Sequence, residues 1–260
     1  MVDAETRKER VRRFFTERAD AYNRSESQRR GRDLLRLLVL LKPTGGETLL
    51  DVATGVGHTA IALAPLVKAV VGIDLTPAME EEFKKNAAKA GVANASFLIG
   101  DAEEIEHPDA CYEIVTCRRA IHHFTDPAAA LAGMARVLVP DGRAGFVDMA
   151  APENAEAAAL MNGLESARDD SHARALAPTE WRRHLADAGF TVEEEDVLPS
   201  RIPWNDWLSP LTPGGPEDEA ARARLDAAPP EVRSEVVEQG VEGAYFLKRR
   251  IVLVARRNAG

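Results

Sequence analysis

Gly55 and Gly57 stand in the run LLDVATGVGHTAIALAP (residues 49–65), where an apolar strand-like segment gives way to a helix-like one. Glycines at such a turn let the backbone approach a ligand closely, and a helix starting behind them favours a negative group. Three carboxylates accompany the turn: Asp51 within the first segment, Asp74 at the end of VVGID and Asp101 at the end of FLIGD. In an open parallel sheet the carboxyl ends of the strands share one edge, and ligands bind in the crevice beside it. An acid at the Asp74 position can accept hydrogen bonds from two ribose hydroxyls, and one at Asp101 from an exocyclic amino group. Each acid alone fits a helix cap or a solvated loop, so their joint placement carries the ligand reading. Gly55-x-Gly57-x-x-Ala60 also fits the relaxed dinucleotide fingerprint, which keeps a nicotinamide-dependent oxidoreductase as one alternative. Asp51 departs from that fingerprint, in which an apolar strand usually runs directly into the first glycine.

His122 and His123 follow a further strand-like segment on the same edge, and His172 lies in the polar stretch RDDSHARALAP. Histidine titrates near neutral pH and is the residue type expected of a general base. The competing reading has one of the pair packed against the ligand, the other capping the next helix, and His172 exposed. No metal is expected, because adjacent histidines on a loop diverge and no third ligand is placed nearby. Arg118 and Arg119 fit either an acidic substrate group or a surface pair. Trp204 and Trp207 fit either the roof of a pocket or the core of a lid helix.

Positioning these residues requires alternating strands and helices. Strands are expected over 47–53, 68–74, 95–101, 112–117 and 144–149, with helices between them, as in a parallel sheet covered on both faces. Thr76 with Pro77, and Asp126 with Pro127, open two of the helices by cap chemistry. A helix near 153–168, an amphipathic helix in TEWRRHLADAGF and a strand in FTVEEEDVLP follow. Residues 201–243 are rich in Pro and Gly and are read as a lid or insertion before the last strand, AYFLKRRIVLVARR.

The chain has 260 residues, two cysteines and a net charge of −9. That charge disfavours a nucleic-acid partner, which is held mainly by basic surface. Residues 1–42 are the exception, with 12 Lys and Arg against 7 Asp and Glu, and are read as a solvated amphipathic helix. Cys111 and Cys117 lack CxxC spacing and point to a reducing compartment. MVDAETRKERVRRFF has no signal-peptide core, and no clean apolar run reaches about 18 residues. A cytoplasmic protein without a membrane span is expected.

The segments LLDVATGVGHTA, VVGIDLTPAM and FLIGDAEEIEHPDACYEIVTCRRAIHHFTDPAAALAGMARVLVPDGRAGFVDM resemble the successive motifs of the class I S-adenosylmethionine-dependent methyltransferases, in particular the ubiquinone/menaquinone-biosynthesis-like group. The resemblance covers residues 10–150 and implies an α/β Rossmann-like sheet of seven strands in the order 3-2-1-4-5-7-6, the last antiparallel. It further implies one domain over residues 1–260, with N-terminal helices over 1–45 covering the cofactor. By the same resemblance, Ala53, Thr54, Gly55 and Gly57 lie against the methionine and ribose, with Asp51 beneath. Asp74 holds the ribose hydroxyls, Leu75 and Met79 flank the adenine, Asp101 meets its amino group, and Ala102 and Glu103 complete that end. The backbone at Cys117 and Arg118 faces the methionine end, with His123 beside it. An F-x-x-x-A-x-x-Y pattern, here Phe15, Ala19 and Tyr22, brings a tyrosine over the cofactor. Thr59 replaces the family's third glycine and could donate its hydroxyl to the cofactor carboxylate. The activity implied is in-line methyl transfer to a small-molecule acceptor by a monomer or homodimer, with His122, His123 or His172 as base where the nucleophile must lose a proton. A protein that binds S-adenosylmethionine without turnover is the second alternative. The acceptor is left open among phenols, quinone precursors, amines and carbon acids, because substrate choice resides in loops.

Overall fold

Four of the five residues of Thr48–Val52 (β1) are buried, the continuous apolar pattern of a strand covered on both faces. The structure, a computed structural model, describes residues 4–24, 26–209 and 211–259, with the side chains of 4, 19–22, 24 and 27 left undescribed. Parallel to β1 run Ala69–Asp74 (β2) on one side and Tyr112–Arg118 (β4) on the other, followed outward by Ala95–Ile99 (β3) and Leu138–Met149 (β5) respectively. Phe190–Pro203 (β6) and Gly243–Arg257 (β8) extend the sheet, β8 lying antiparallel to both β5 and β6. The order β3-β2-β1-β4-β5-β8-β6 is the one the family resemblance implies, with one addition. Val237–Gly240 (β7) pairs with the start of β8, so the sheet has eight strands instead of seven. That strand is short, and three of its four residues are exposed, so it leaves no alternation to read.

The two faces of the sheet carry separate cores because neighbouring side chains of a strand point to opposite sides. Along β8, Ile251, Leu253 and Ala255 join one core and Val252 and Val254 the other. Helices Pro127–Val137 (α6) and Pro178–Asp187 (α8) cover the first face through Leu131, Met134, Trp181 and Leu185. Three helices cover the second: Arg32–Leu41 (α3), His58–Leu63 (α4) and Ala78–Ala90 (α5). Asp126 caps α6 by accepting the Ala129 amide (2.9 Å), and Pro77 is already helical ahead of α5, as the cap signals predict. Ala4–Arg24 (α1) and Glu26–Arg30 (α2) precede α3.

Ala155–Arg168 (α7) follows β5. The insertion contributes Trp204–Leu208 (α9), Pro216–Ala227 (α10) and Pro230–Ser234 (α11), which pack on α7 around a third apolar cluster. Trp204 and Trp207 belong to that cluster, Trp207 stacking on Phe246 at 4.6 Å, so they are packing residues and not a roof. Among the described residues no helix is long and apolar enough to cross a membrane.

Strand order reverses between β1 and β4, and the crevice at that switch point is where an open α/β sheet binds its ligand. The turn leading out of β1 depends on Gly57, whose φ is +86° and where a Cβ would stand 2.5 Å from the Phe83 ring. Gly57→Ala is therefore expected to cost about 1–3 kcal/mol from strain and overpacking. A thermal unfolding scan checks this, and Gly57→Ala combined with Phe83→Leu should recover part of the loss.

Candidate active site

A cleft enclosing about 1070 Å³, solvent at its mouth included, opens at the switch point. Of the residues expected from the sequence, Asp51, Ala53, Thr54, Gly55, Thr59, Asp74, Leu75, Met79, Asp101, Ala102, Glu103, Arg118 and His123 all line it. Gly57 stands behind the loop as the cap of α4. The Cys117 side chain is buried in the core, alternation along β4 turning it away from Arg118, so what Cys117 can offer the cleft is its backbone, as expected. The side chains of Ala19 and Tyr22 lie outside the described residues.

The loop after β1 is held open by carboxylates. Asp74 accepts the Gly55 amide (2.8 Å) through one oxygen and the Thr76 amide (2.9 Å) through the other. An ionised carboxylate offers about four acceptor sites, which leaves capacity for a ligand's hydroxyls. Asp51 accepts the hydroxyls of Thr54 and Thr116, each at 2.7 Å, and burial pushes its carboxyl up to about 6 against the pull of those bonds. Burial likewise raises Asp74. Ala53 adopts φ 53°, an uncommon conformation for a non-glycine residue, and Gly55 faces open space at φ +55°.

These features fit the adenosyl cofactor. A side chain at Gly55 would occupy the open space that the loop leaves. Thr125 Oγ1 is buried in the cleft wall with no hydrogen-bond partner among the described residues, a group that a polar ligand can satisfy. Apolar Leu75, Met79 and Ala102 supply flanks for a planar base.

Helix α1 contributes Lys8, Val11 and Phe15 to the same cleft. Lys8 Nζ lies 2.6 Å from Asp101 and 3.2 Å from Glu103, so the acid expected to meet an adenine amino group also ties down the N-terminal helix. Burial lowers the Lys8 ammonium, but the bonds to these two acids outweigh it and leave it above the ordinary value.

Arg118 and Arg119 are neither surface residues nor free cations. Asp33 of α3 accepts from Arg118 Nε (3.1 Å), Arg119 Nε (2.8 Å) and Arg119 Nη2 (2.8 Å), and Arg118 also donates to the Gln28 carbonyl (3.0 Å). Arg119 adopts φ 58° as the chain leaves β4. Burial alone would raise the Asp33 carboxyl, yet the two guanidiniums hold it well below the carboxylate range. Asp33→Asn leaves buried guanidiniums short of their anion and is expected to cost about 3–5 kcal/mol near pH 7. A carboxyl depressed in the folded state stabilises above its unfolded value of about 4 and loses that contribution as pH falls below it. The stability gap between wild type and Asp33→Asn should therefore shrink in denaturant titrations between about pH 5 and pH 3.

A second cavity of about 680 Å³ adjoins the cleft and shares Gln28, Arg119 and His123 with it. His122 and His172 line this second cavity with Met149, Glu165, Arg168, Asp169, Lys248 and Arg250. The rings of the adjacent histidines do not diverge as the sequence suggested. The single 3-10 turn at Ile121–His123 sets them 4.0 Å apart between centroids, with His172 5.5 Å from His122. Among the described residues no group of three His, Cys, Asp or Glu side chains is arranged to hold a metal.

Each histidine has a different partner. His122 Nδ1 bonds the buried Asp148 carboxylate, which also accepts the His122 amide (3.1 Å). His122 Nε2 has no hydrogen-bond partner among the described residues, and His122 lines the second cavity. His123 Nδ1 meets Ser171 (3.0 Å to Oγ) and its ring packs edge-on against Phe15 at 5.0 Å; burial, then the His122 charge, hold it well below the usual histidine value. His172 Nε2 meets Asn162 Oδ1 (2.8 Å), and burial, then His122, bring it down to about 4. Only His122 has the acid that orients an imidazole and stabilises its charged form. Asp148 was missed from the sequence, although an acid inside the apolar segment AGFVDM is the same signal that singled out Asp51. Asp33, Glu165, Lys248 and Arg250 were also missed, since each sits in a segment whose charge pattern resembles solvated surface.

A mostly parallel sheet that reverses order beside a glycine turn, with an acid within or just after each of its first strands, defines a nucleotide-binding α/β fold. Residues 49–142 match the methyltransferase domain family. The chain is 33% identical over 194 residues to the uncharacterized methyltransferase YcgJ of Bacillus subtilis, covering 75% of this chain and 77% of that protein. It is 32% identical to the 27-O-demethylrifamycin SV methyltransferase of Amycolatopsis mediterranei, over 62% of this chain and 61% of the relative. The solved structure of BH2331 from Bacillus halodurans superposes with a TM-score of 0.81 at 33% identity, over 87% of this chain and 99% of that one. The chain belongs to the S-adenosylmethionine-dependent methyltransferase family, and its activity is methyl transfer from that donor. The nicotinamide alternative is set aside.

Proposed function

We propose that the protein methylates an acceptor that must lose a proton, a hydroxyl in the first instance, with His122 as the general base. The observation that carries this reading is the His122–Asp148 pair, which binds Nδ1 and leaves Nε2 toward the cavity that adjoins the cofactor cleft. When bound, S-adenosylmethionine supplies a methyl group already activated on a sulfonium, so the protein's part is to align the partners and manage one proton. Asp74 holds the ribose, Leu75, Met79 and Ala102 flank the base, Asp101 and Glu103 meet its polar edge, and Asp51 sets negative potential under the loop Ala53–Gly57. Helices in residues 1–45 cover this end, Phe15 and Lys8 among the covering side chains. His122 Nε2 would take up the proton that the acceptor's hydroxyl gives up on methylation. Asp148 stabilises the imidazolium that results. His123 and His172, held neutral by burial, shape the passage and take no part in the proton transfer.

Similarity to an O-methyltransferase of a rifamycin supports a hydroxyl acceptor. Turnover of methyl-labelled donor against matched phenols, enols, amines and thiols tests the reading. Label in ethers is the expected result, and label confined to amines or thiols would overturn it.

A further inference from the structure

The second cavity holds more positive charge than its own acids neutralise. Arg250 lies within electrostatic reach of two carboxylates that are both already engaged: Asp33, whose oxygens are occupied by Arg118 and Arg119, and Asp148, which binds His122. The Arg250 side chain, on a residue laddered by its backbone to β5 and β6, forms no hydrogen bond or ion pair among the described residues. Lys248, two residues earlier on β8 and so on the same face, reaches among the described residues only Glu165, at 3.9 Å. Glu165 is itself engaged by Arg168 (2.9 Å) and by Trp207 Nε1 (3.0 Å). Burial, and then the charge of Arg119, bring Arg250 down to about 9, while burial brings Lys248 down to about 8. Cations that are desolvated and unmatched at a cavity wall are costly without an anion. The insertion pays part of this cost by fixing Glu165 through Trp207, which shows the wall to be built and not incidental.

We propose that the methyl acceptor carries a carboxylate bound by Arg250, with Lys248 alongside, in the part of the cavity that the cofactor cleft does not share. This rests on the reading of His122 as base and names the substrate class, a small hydroxy acid. Arg250 can grip a carboxylate through two parallel N–H bonds while the hydroxyl is presented to His122 Nε2. Glu165 and Asp169 line the same cavity, so a single negative charge is accommodated and a dianionic phosphate is repelled.

The test uses the full chain saturated with S-adenosylhomocysteine and titrated calorimetrically with 3- and 4-hydroxybenzoate, 2-hydroxyphenylacetate, their methyl esters and phenyl phosphate. At least one acid should bind 10-fold or more tightly than its ester and than phenyl phosphate. Arg250→Gln should abolish that preference while S-adenosylhomocysteine affinity and the unfolding temperature hold, and Arg250→Lys should restore part of it. Esters binding as well as acids, phosphate preferred, no acid binding at all, or a preference that survives in Arg250→Gln would each overturn the proposal. The readout is independent of turnover. Label transferred only to amines defeats the hydroxyl reading and leaves the acid preference to be judged by itself.

Discussion

Asp74→Ala is expected to weaken S-adenosylhomocysteine binding by about 100-fold or more, measured by calorimetric titration. Hydrogen bonds to an ionised carboxylate contribute about 1.5–3 kcal/mol each, and two ribose hydroxyls are at stake. The same side chain accepts the Gly55 and Thr76 amides, so its removal also loosens the loop against which the cofactor lies. Asp74→Asn keeps one acceptor oxygen and should fall between wild type and Asp74→Ala. Burial raises the Asp74 carboxyl, so in wild type affinity should decline as pH falls, starting above the range of an exposed aspartate. Unchanged affinity in Asp74→Ala would remove this residue from the ribose role, provided the thermal transition shows a folded variant.

His122→Ala is expected to lower kcat by about 10²–10⁴ with hydroxyl acceptors, the range that general base catalysis contributes. Cofactor affinity should stay within about 2-fold, because His122 lines the second cavity and not the cofactor cleft. Asp148→Asn should act in the same direction. Its amide can donate to Nδ1, which selects the tautomer with a proton on Nε2 and takes away the base. Acceptors whose hydroxyl is already ionised should lose least in both variants, since they need no proton removed. Full kcat in His122→Ala with a neutral hydroxyl acceptor would overturn the assignment, as would a loss traced only to cofactor binding.

Much of the cofactor end was legible because its signals are local. Strand ends, glycine turns and caps are written within a few residues, and Asp51, Asp74 and Asp101 declare themselves by falling at successive strand ends. Lys8 on Asp101 was not legible, since 93 positions separate the two and neither segment refers to the other. The acceptor end was legible only in its histidines. Asp148 and His122 are 26 positions apart, and only the parallel pairing of β4 with β5 brings their chain segments side by side. Arg118 and Arg119 looked equally like surface cations or ligands for an acid, because nothing in CRRAIHH announces that Asp33, 85 positions away, will bury both. The tryptophans of PWNDW were open between roof and core until α7 and β8 closed around them.

By itself, then, the sequence determined the alternation of strands and helices and the acids and glycines at the strand ends, since apolar periodicity and turn chemistry act over short distances in the chain; the order of the sheet apart from β7, and the cofactor, followed from the resemblance those motifs carry. Only the tertiary structure decided which histidine has an acid behind it and which cations are left without one. Those properties depend on charges brought together from β4, β5, α3, α7 and β8, and on the burial that makes an unmatched charge consequential.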